Sequence, residues 1–314
     1  MIVEPIWQSH ITDIERREIS PGKPSLLPDH PDALVIGGGL IGLWIAYFLA
    51  KKQAGRVLVV EQGELASGSS RANGGGVFAG QQRAEFPPAF RELGLASREL
   101  YAEIAEEDWA DFDWSRNGSL AIAPTEFPCS MREYAQQECE LSRVVKRLTA
   151  GELRALEPAL ADHVAEGIYY PEDAVVNPLR VALSLIRILR SMNVTLATGV
   201  RVTGFETRSR RILRVTTTAE DLHPGVVVLT TGWSADQLTE KLDVRVPVQP
   251  AKGQMLASPP LNWRLNTNLL GTQLLRQLPT GELITGGTVE FMGEDYEPSE
   301  ANTDSIAARA RRYC

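Results

Sequence analysis

Residues 33–63 constrain the fold of this chain more than any other stretch; their sequence is ALVIGGGLIGLWIAYFLAKKQAGRVLVVEQG. Leu34–Ile36 is a short apolar run typical of a fully buried strand. Glycines at G-x-G-x-x-G spacing follow it, and the apolar segment Leu40–Lys51 then predicts a helix packed on a sheet. A second β-branched run, Arg56–Val60, ends in Glu61. A strand, a glycine-rich turn, a helix, a second strand and a terminal acid together predict a dinucleotide-binding unit.

Each glycine of this motif has its own physical role. Gly37 allows the tight turn out of the strand, Gly39 lets backbone N–H groups approach a pyrophosphate, and Gly42 lets the helix lie close to the strand. The phosphates then lie at the positive end of the helix dipole. Glu61 follows Gly42 at close to the spacing of roughly 20 residues expected for an acid that accepts hydrogen bonds from ribose hydroxyls.

The cofactor class follows in part from the charge of this acid. A carboxylate at the end of the second strand repels a 2′-phosphate, so the motif favours FAD or NAD over NADP and does not separate those two. The alternative is an ordinary α/β turn, because single glycine patterns are common.

Length and composition place the chain among soluble globular proteins. Its 314 residues suggest about two domains, and 43% hydrophobic and 23% charged residues are ordinary for a chain with a sizeable core. The net charge of −8 argues against nucleic acid as a partner. No apolar run approaches the ~20 residues that span a membrane, and the N-terminus lacks the pattern of a secretory signal.

Cysteine and histidine usage predicts neither a metal centre nor Ser-His chemistry. The three cysteines, Cys129, Cys139 and Cys314, have no metal-like spacing, which favours reduced thiols in a cytoplasmic protein. The four histidines form no recognisable ligand or triad pattern. They are His10, His30, His163 and His223.

Two segments flank the dinucleotide motif. Residues 1–31 contain five prolines and predict an extended arm wrapped over the surface, with a flexible tail as the alternative. Residues 66–76, ASGSSRANGGG, predict a loop whose small residues let the backbone approach a ligand. Arg71 and Asn73 add donors for a pyrophosphate or a flavin ring. The alternative is a plain flexible loop, but its place directly behind the motif favours binding.

The combination of IGGGLIG, VVEQG and ASGSSRANGGG resembles FAD-dependent oxidoreductases of the D-amino-acid oxidase type, a family that includes glycine, sarcosine and D-amino-acid oxidases and dehydrogenases. The resemblance implies an α/β fold, with a Rossmann-like FAD-binding domain of the GR2 type and an interleaved α+β substrate domain. In the family the second loop passes beneath the FAD pyrophosphate. Branches that attach FAD covalently there carry a histidine, which this loop lacks, so we expect noncovalent FAD.

The rest of the chain is assigned by pattern and resemblance together. The predicted helices span residues 89–109, 130–148, 149–160 and 179–192; the third is capped by Thr149 and Glu152, and the fourth is apolar on nearly every face. The predicted strands and hairpins span residues 117–123, 167–178, 194–197, 198–206 with 212–217, 225–230 (buried and parallel), 244–256 and 274–290. Ser234 is predicted to cap the helix after TGWS (231–234).

The domain assignment follows the family pattern. It gives an arm over 1–31, an FAD-binding domain over 32–78 and 165–240, and a C-terminally incomplete substrate domain over 79–164 and 241–314. The motifs and the resemblance place FAD against one set of residues. These are Gly37, Gly39, Leu40, Ile41, Gly42, Glu61, Gln62, Ser67, Ser69, Ser70, Arg71, Asn73, Gly74, Gly75, Val202, whose backbone holds the adenine in the family, Thr231, Gly232 and Trp233.

The implied function is FAD-dependent oxidation of a C–N bond in a small amine or amino acid. The neutral amine gives its α-hydrogen to the flavin as hydride, so no strong base is required and no residue is assigned as catalytic. Tyr169, Tyr170, Gln254 and Arg276 are candidates for the pocket wall and are interpreted as structural. The sarcosine-oxidase branch has an oxygen-activating lysine on the strand that corresponds to Leu283–Thr288; its absence here favours a dehydrogenase.

The resemblance covers residues 32–312. Family members continue into a segment with an L-R-P turn that supplies an arginine for the substrate carboxylate, and the sequence here ends before it. We therefore expect an exposed sheet edge and an open flavin site, in a fragment, a truncated product or a subunit completed by a partner chain. The alternatives are an incomplete FAD-binding or assembly subunit and an NAD-dependent dehydrogenase. The electron acceptor is oxygen, a quinone or a carrier protein, and a quinone would make the protein membrane-peripheral.

Overall fold

The computed structural model describes residues 4–79, 87–122, 144–293 and 297–313. The chain divides into two compact units. The first consists of Met1–Asn73, Glu107–Phe112 and Asn177–Pro250; the second consists of Gly74–Glu106, Asp113–Val176 and Ala251–Cys314.

The elements are numbered in chain order. The helices are α1 (Asp13–Glu18), α2 (Leu40–Lys51), α3 (Ser69–Ala72), α4 (Pro88–Ile104), α5 (Ala150–Leu156), α6 (Pro178–Ser191), α7 (Ala235–Thr239) and α8 (Glu300–Ala310). The strands are β1 (Ala33–Ile36), β2 (Val57–Glu61), β3 (Gly76–Val77), β4 (Ser119–Ile122), β5 (Lys146–Thr149), β6 (Glu166–Tyr170), β7 (Ala174–Val175), β8 (Thr195–Thr198), β9 (Val202–Arg208), β10 (Arg211–Thr217), β11 (Val226–Leu229), β12 (Met255–Pro260), β13 (Asn268–Leu270), β14 (Leu274–Gln277) and β15 (Glu282–Gly286).

A parallel sheet forms the centre of the first unit. Within the described residues it has four strands in the order β11-β1-β2-β8. Leu34 and Ile36 of β1 and Leu58 and Val60 of β2 point into one buried core. Helices α2 and α6 pack against each other in this unit. The prediction of an α/β, Rossmann-like fold is confirmed.

Helix α6 differs from its prediction in the character of its surface. Asn177 Oδ1 accepts hydrogen bonds from the amides of Leu179 (3.1 Å) and Arg180 (3.2 Å), so the helix begins with a side-chain cap. The helix was expected to be apolar on nearly every face, but it has a basic face. Arg180 pairs with Glu15 (2.7 Å) and Arg187 pairs with Glu18 (2.9 Å), both on α1.

The N-terminal arm is helical in its first part, which the sequence did not predict, and forms no helix or strand over residues 19–32. Ile6–His10 form a 3-10 helix, and α1 follows it behind a capping box. Trp7 is 3% exposed, and its indole Nε1 donates to the carbonyl oxygen of Asn73 at 2.8 Å. Leu27 is buried in the same core as Leu34. Because prolines interrupt regular structure, the sequence predicted none in the arm. The buried side chains of Trp7 and Leu27 nevertheless anchor it to the first unit.

The second unit contains a mixed sheet of seven strands among the described residues, in the order β12-β15-β14-β13-β4-β6-β5. The predicted cap of α5 is confirmed, because Thr149 and Glu152 form a capping box. The predicted helix over 130–148 is wrong at its end, since residues 146–148 belong to β5 and pair antiparallel with β6. Residues 130–143 of that prediction lie outside the described residues, as do all three cysteines.

Three further expectations are corrected. β11 was predicted to be buried, but it is an edge strand and Val226 is 49% exposed. Of the strand predicted over 244–256, only its last two residues lie in a strand, β12. Ser234 does not cap α7: its hydroxyl donates backwards to the carbonyl oxygen of Thr231 at 2.8 Å.

The unit boundaries also differ from the predicted domains. Residues 165–176 lie in the second unit, because β6 pairs with β4 and β5 there. Residues 107–112 and the arm lie in the first unit. Among the residues that the structure describes, no helix has the length and apolarity needed to cross a lipid bilayer.

Glu157, which ends α5, provides a test by pH. Its side chain is fully buried; Oε2 accepts from the amides of Asn266 (2.7 Å) and Thr267 (3.0 Å), while Oε1 meets no donor in the described structure. Burial raises the pKa of Glu157, and the hydrogen bonds oppose this shift without cancelling it.

The folded state therefore binds the Glu157 proton more tightly than the unfolded state does. The stabilisation from this group is fully present below the ordinary glutamate pKa of 4.5 and is lost as pH rises through the folded pKa. The side chain in Glu157→Gln does not titrate, so we expect the free energy of unfolding of this variant to increase relative to wild type as pH rises, by about 1.4 kcal/mol for each pH unit between the unfolded and the folded pKa of Glu157. Urea unfolding of both proteins from pH 4 to 8 measures this; a constant difference would contradict it.

Candidate functional site

The turn after β1 holds the first glycine of the motif in a conformation that suits glycine. Gly37 has a φ of +110°, and its N–H donates to the carbonyl oxygen of Val60 at 2.9 Å. A Cβ at this position would lie 2.7 Å from the carbonyl oxygen of Thr230. The Thr230 hydroxyl also donates to the Gly37 carbonyl oxygen at 2.8 Å. The carboxyl ends of β1 and β11 are therefore tied together at the motif.

The second and third glycines allow two close approaches. A Cβ on Gly42 would lie 2.0 Å from the carbonyl oxygen of Gly37, so α2 could not begin this close to the strand with any other residue. A Cβ on Gly39 would lie 3.0 Å from Ser70 Oγ. These contacts fit the roles predicted for Gly37 and Gly42, while the role of Gly39 toward a pyrophosphate stays a prediction.

The first turn of α2 offers free backbone donors. The amide of Leu40 donates to Ser70 Oγ at 3.0 Å. In the described part of the chain, the amides of Gly39, Ile41 and Gly42 meet no acceptor, as expected at the start of a helix. The side chain of Ile41 is 68% exposed. A helix of twelve residues thus has unpaired N–H groups at its positive dipole end, where Ile41 is exposed and Gly42 is buried.

Glu61 closes the same turn from the end of β2. Its Oε2 accepts from the amide of Gly38 and its Oε1 from the amide of Gly63, both at 2.8 Å. A carboxylate has about four acceptor sites, so both oxygens retain capacity for hydroxyl donors. Gln62, the next residue, is exposed. The geometry therefore suits recognition of a diol by Glu61.

The second glycine- and serine-rich loop lies beside the first. The amide of Ala66 donates to the Gly38 carbonyl oxygen at 2.8 Å, and Ser70 reaches the start of α2 as described above. Nη2 of Arg71 pairs with Glu64 Oε2 at 2.8 Å, and its buried Nε meets no acceptor among the described residues, so its role toward a pyrophosphate or flavin stays a prediction. The Asn73 amide donates to the carbonyl oxygens of Ser69 and Ser70, both at 3.0 Å.

The end of β11 supplies an unsatisfied polar atom. The hydroxyl oxygen of Thr231 is buried and meets no hydrogen-bond partner among the described residues. Gly232 has a φ of +60°, and nothing lies within 4 Å of its Cβ position. Residues Gly232–Ser234 form a short 3-10 helix, in which Trp233 is half-buried. An orphaned buried hydroxyl beside open space is what a site shaped for a bound group shows.

The remaining predicted residues of the first unit lie around the turn that follows β1. Val202 begins β9 and is 7% exposed; two residues before it, the amide of Val200 donates to the carbonyl oxygen of Glu61 at 3.0 Å. Ser67 is half-buried and Ser69 is exposed. The structure therefore brings the motif glycines, Glu61 and Ser70 together at one end of the parallel sheet.

Gly74 and Gly75 open the second unit and are held there by backbone contacts. The Gly75 carbonyl oxygen accepts from the amide of Val176 at 2.8 Å. Nη1 of Arg276, on β14, donates to the carbonyl oxygens of Gly74 (2.7 Å) and Val176 (2.9 Å). Arg276 is 3% exposed, and this burial lowers the pKa of its guanidinium to about 10. Arg276 thus fixes two neighbouring backbone segments of the second unit.

The other candidates for the pocket wall have structural contacts. Gln254 accepts from the amide of Ser299 at 3.0 Å and donates to Thr303 Oγ1 at 2.7 Å, at the start of α8. Tyr170 is buried. The ring of Tyr169 lies 2.7 Å from the Cβ position of Gly118, which has a φ of +72°. Their interpretation as structural residues agrees with these positions.

Sequence reasoning missed two residues that shape the site. Thr230 bridges β1 and β11 through its hydroxyl, and a threonine at a strand end carries no distinctive signal. Trp7 donates a hydrogen bond to the backbone of Asn73. A large apolar residue within a proline-rich arm was the feature of the sequence that could have indicated this role.

Comparisons with known proteins bear on this geometry. A family model described as FAD dependent oxidoreductase (DAO) matches residues 32–314. Hydrogen cyanide synthase subunit HcnC of Pseudomonas aeruginosa is 29% identical over 309 residues, which cover 84% of this chain and 73% of that protein. Glycine oxidase of Pseudomonas putida is 29% identical over 293 residues, 88% of this chain and 76% of that protein. The crystal structure of glycine oxidase from Geobacillus kaustophilus has a TM-score of 0.84 at 25% identity, over 91% of this chain and 78% of that one.

Proposed function

Because the chain belongs to the FAD-dependent oxidoreductase (DAO) family, we propose that it oxidises the C–N bond of a small amine or amino acid, with FAD as the hydride acceptor. FAD is the cofactor of this family, which argues against the alternative of an NAD-dependent dehydrogenase. The substrate class is supported by relatives named glycine oxidase and 4-methylaminobutanoate oxidase. The observation that carries the proposal is the group of unpaired amides at the start of α2, beside Glu61.

The residues at this site fit FAD. We assign the pyrophosphate to the amides of Gly39, Ile41 and Gly42, and the ribose diol to Glu61. The buried Thr231 hydroxyl has no hydrogen-bond partner among the described residues, and bound FAD can supply one. We further assign to FAD binding the residues that the sequence predicted around them: Leu40, Gln62, Ser67, Ser69, Ser70, Asn73, Gly74, Gly75, Val202, Gly232 and Trp233. Arg71, whose Nη2 pairs with Glu64, is assigned to FAD binding with them.

The chemistry requires little of the chain's own side chains. When bound, FAD supplies the acceptor for two electrons and the α-hydrogen of the substrate. The chain's part is to bind the amine in its neutral form, orient its C–H bond and exclude water. The oxidised substrate is an imine, which water hydrolyses to a carbonyl compound and an amine or ammonia. These reaction steps need no general base, so no residue is proposed as catalytic.

A spectrum and a substrate panel test the proposal. The purified chain should show a visible flavin spectrum that passes into the supernatant after acid precipitation, as expected for noncovalent FAD. Anaerobic addition of glycine, sarcosine, D-alanine, D-proline or an N-methylated amine should bleach that spectrum for at least one compound. This readout does not depend on the electron acceptor. Flavin retained in the precipitate would contradict noncovalent attachment.

The reduced protein then separates oxidase from dehydrogenase. Residues 283–288 contain no lysine, so we expect slower reoxidation by oxygen than by an artificial acceptor such as a phenazine. Faster reoxidation by oxygen would overturn this preference.

A second candidate function is an FAD-binding subunit that requires a partner chain. It is favoured by the relative HcnC, whose name describes it as a subunit. A flavin spectrum that no compound of the panel bleaches, together with co-purification of another chain, supports this candidate over the first.

A further inference from the structure

Three metal-ligating side chains of the first unit meet on its surface, far along the chain from one another. Asp29 and His30 belong to the arm, and His223 lies between β10 and β11. One ligand atom from each residue lies within 4.8 Å of the others. All three side chains are exposed, at 59% for Asp29, 65% for His30 and 43% for His223. An ion in solution can therefore reach them.

One of the distances matches that between ligands of a metal centre, and the other is a shorter hydrogen bond that an ion would replace. Asp29 Oδ1 lies 2.8 Å from His223 Nδ1, and Asp29 Oδ2 lies 3.3 Å from His30 Nε2. Ligand atoms 2.0–2.2 Å from a tetrahedral ion are about 3.3 Å apart. The two imidazole rings have centroids 5.2 Å apart and are tilted by 32°. One nitrogen of each ring already lies beside an oxygen of the Asp29 carboxylate.

The backbone that carries these side chains is already fixed. The amide of His223 donates to the carbonyl oxygen of Asp29 at 2.7 Å. The preceding residue, Leu222, is fully buried in one core cluster with Leu27, which precedes Asp29 by two residues. Little chain entropy is therefore lost when an ion joins the three ligands.

We propose that Asp29, His30 and His223 bind a divalent transition-metal ion of the zinc class. Two imidazoles and one carboxylate are ligands that zinc accepts, and three protein ligands leave one position of a tetrahedral ion for water. Magnesium prefers oxygen ligands in an octahedral arrangement and is not expected there. The ion joins the arm to the segment that leads into β11, so it stabilises the first unit.

Calorimetric titration of the FAD-loaded chain with zinc chloride tests this site. The protein must carry no polyhistidine tag, and the buffer must contain no chelator. We expect one zinc ion per wild-type chain and a rise in melting temperature on its addition, with no heat from magnesium. His30→Ala, His223→Ala and Asp29→Asn should each weaken zinc binding at least tenfold and remove most of the thermal shift.

His163→Ala is the matched control, because His163 is an exposed histidine of the second unit. It should bind zinc as wild type does. Since all four substitutions are at exposed positions, each variant should keep its flavin spectrum and its metal-free melting temperature. Equal zinc affinity in wild type and in the His30→Ala/His223→Ala double variant would overturn the proposal, as would an absence of zinc binding by wild type.

Discussion

Replacing Gly42 with alanine is expected to abolish FAD binding and to lower the free energy of unfolding by more than about 3 kcal/mol. The new methyl group would lie 2.0 Å from the Gly37 carbonyl oxygen and 2.8 Å from the Thr230 hydroxyl. Gly37 is held in place, because its N–H donates to the Val60 carbonyl oxygen at 2.9 Å and its carbonyl oxygen accepts from the Thr230 hydroxyl at 2.8 Å. The start of α2 must therefore move away from β1, and its free amides move with it. Retained flavin absorbance and urea unfolding measure the two effects.

Gly94→Ala is the matched control, since Gly94 also lies within a helix, α4. The nearest atom to its Cβ position is the Ala79 methyl at 3.7 Å, an ordinary van der Waals contact. Alanine should stabilise this helix by up to about 1 kcal/mol and leave FAD binding unchanged. Similar losses in both variants would show that helix glycines in general, and not the close approach at Gly42, determine the result.

The second large effect is expected at Arg276. Replacing it with methionine should cost about 3–5 kcal/mol of the free energy of unfolding, because two charge-assisted hydrogen bonds disappear from a buried site. The carbonyl oxygens of Gly74 and Val176 lose this donor, and the thioether offers no replacement. FAD affinity should fall as well, since Gly74 and Gly75 are among the residues assigned to the cofactor.

Arg264 offers the comparison. It also donates to two carbonyl oxygens, those of Leu278 (3.0 Å) and Pro279 (3.1 Å), but it is exposed. Water can replace its hydrogen bonds, so Arg264→Met should cost less than about 1 kcal/mol and leave FAD affinity unchanged. Urea unfolding and flavin release on dilution measure both variants. If Arg276→Met lowers the free energy of unfolding no more than Arg264→Met does, burial does not determine the contribution of these arginines.

The dinucleotide turn was predictable from sequence because it is local. Gly37, Gly42 and Glu61 lie within one βαβ unit, where backbone geometry demands the two glycines and the motif's spacing marks the acid. The cap at Thr149 was predictable for the same reason, since its partner Glu152 is three residues away. Such signals depend on the chain's own neighbours and need no knowledge of the tertiary structure.

The errors have a common cause in distant contacts. Residues 146–148 have a composition suited to a helix, but pairing with β6 makes them a strand. The arm gave little periodic signal, and its structure depends on burial of Trp7 and on ion pairs with α6. His30 and His223 are separated by most of the first unit's sequence, so nothing in their spacing indicated that their rings would meet.

The position of β1 in the parallel sheet affects how the protein is made. One of its neighbours, β2, follows within 30 residues, but the other, β11, leaves the ribosome only after residue 229. At 5–20 residues per second, β1 waits on the order of ten seconds for that neighbour. During this interval Leu34 and Ile36 have no completed core around them. Slower synthesis prolongs this exposure, so recovery of folded protein should depend on chaperone capacity while translation proceeds.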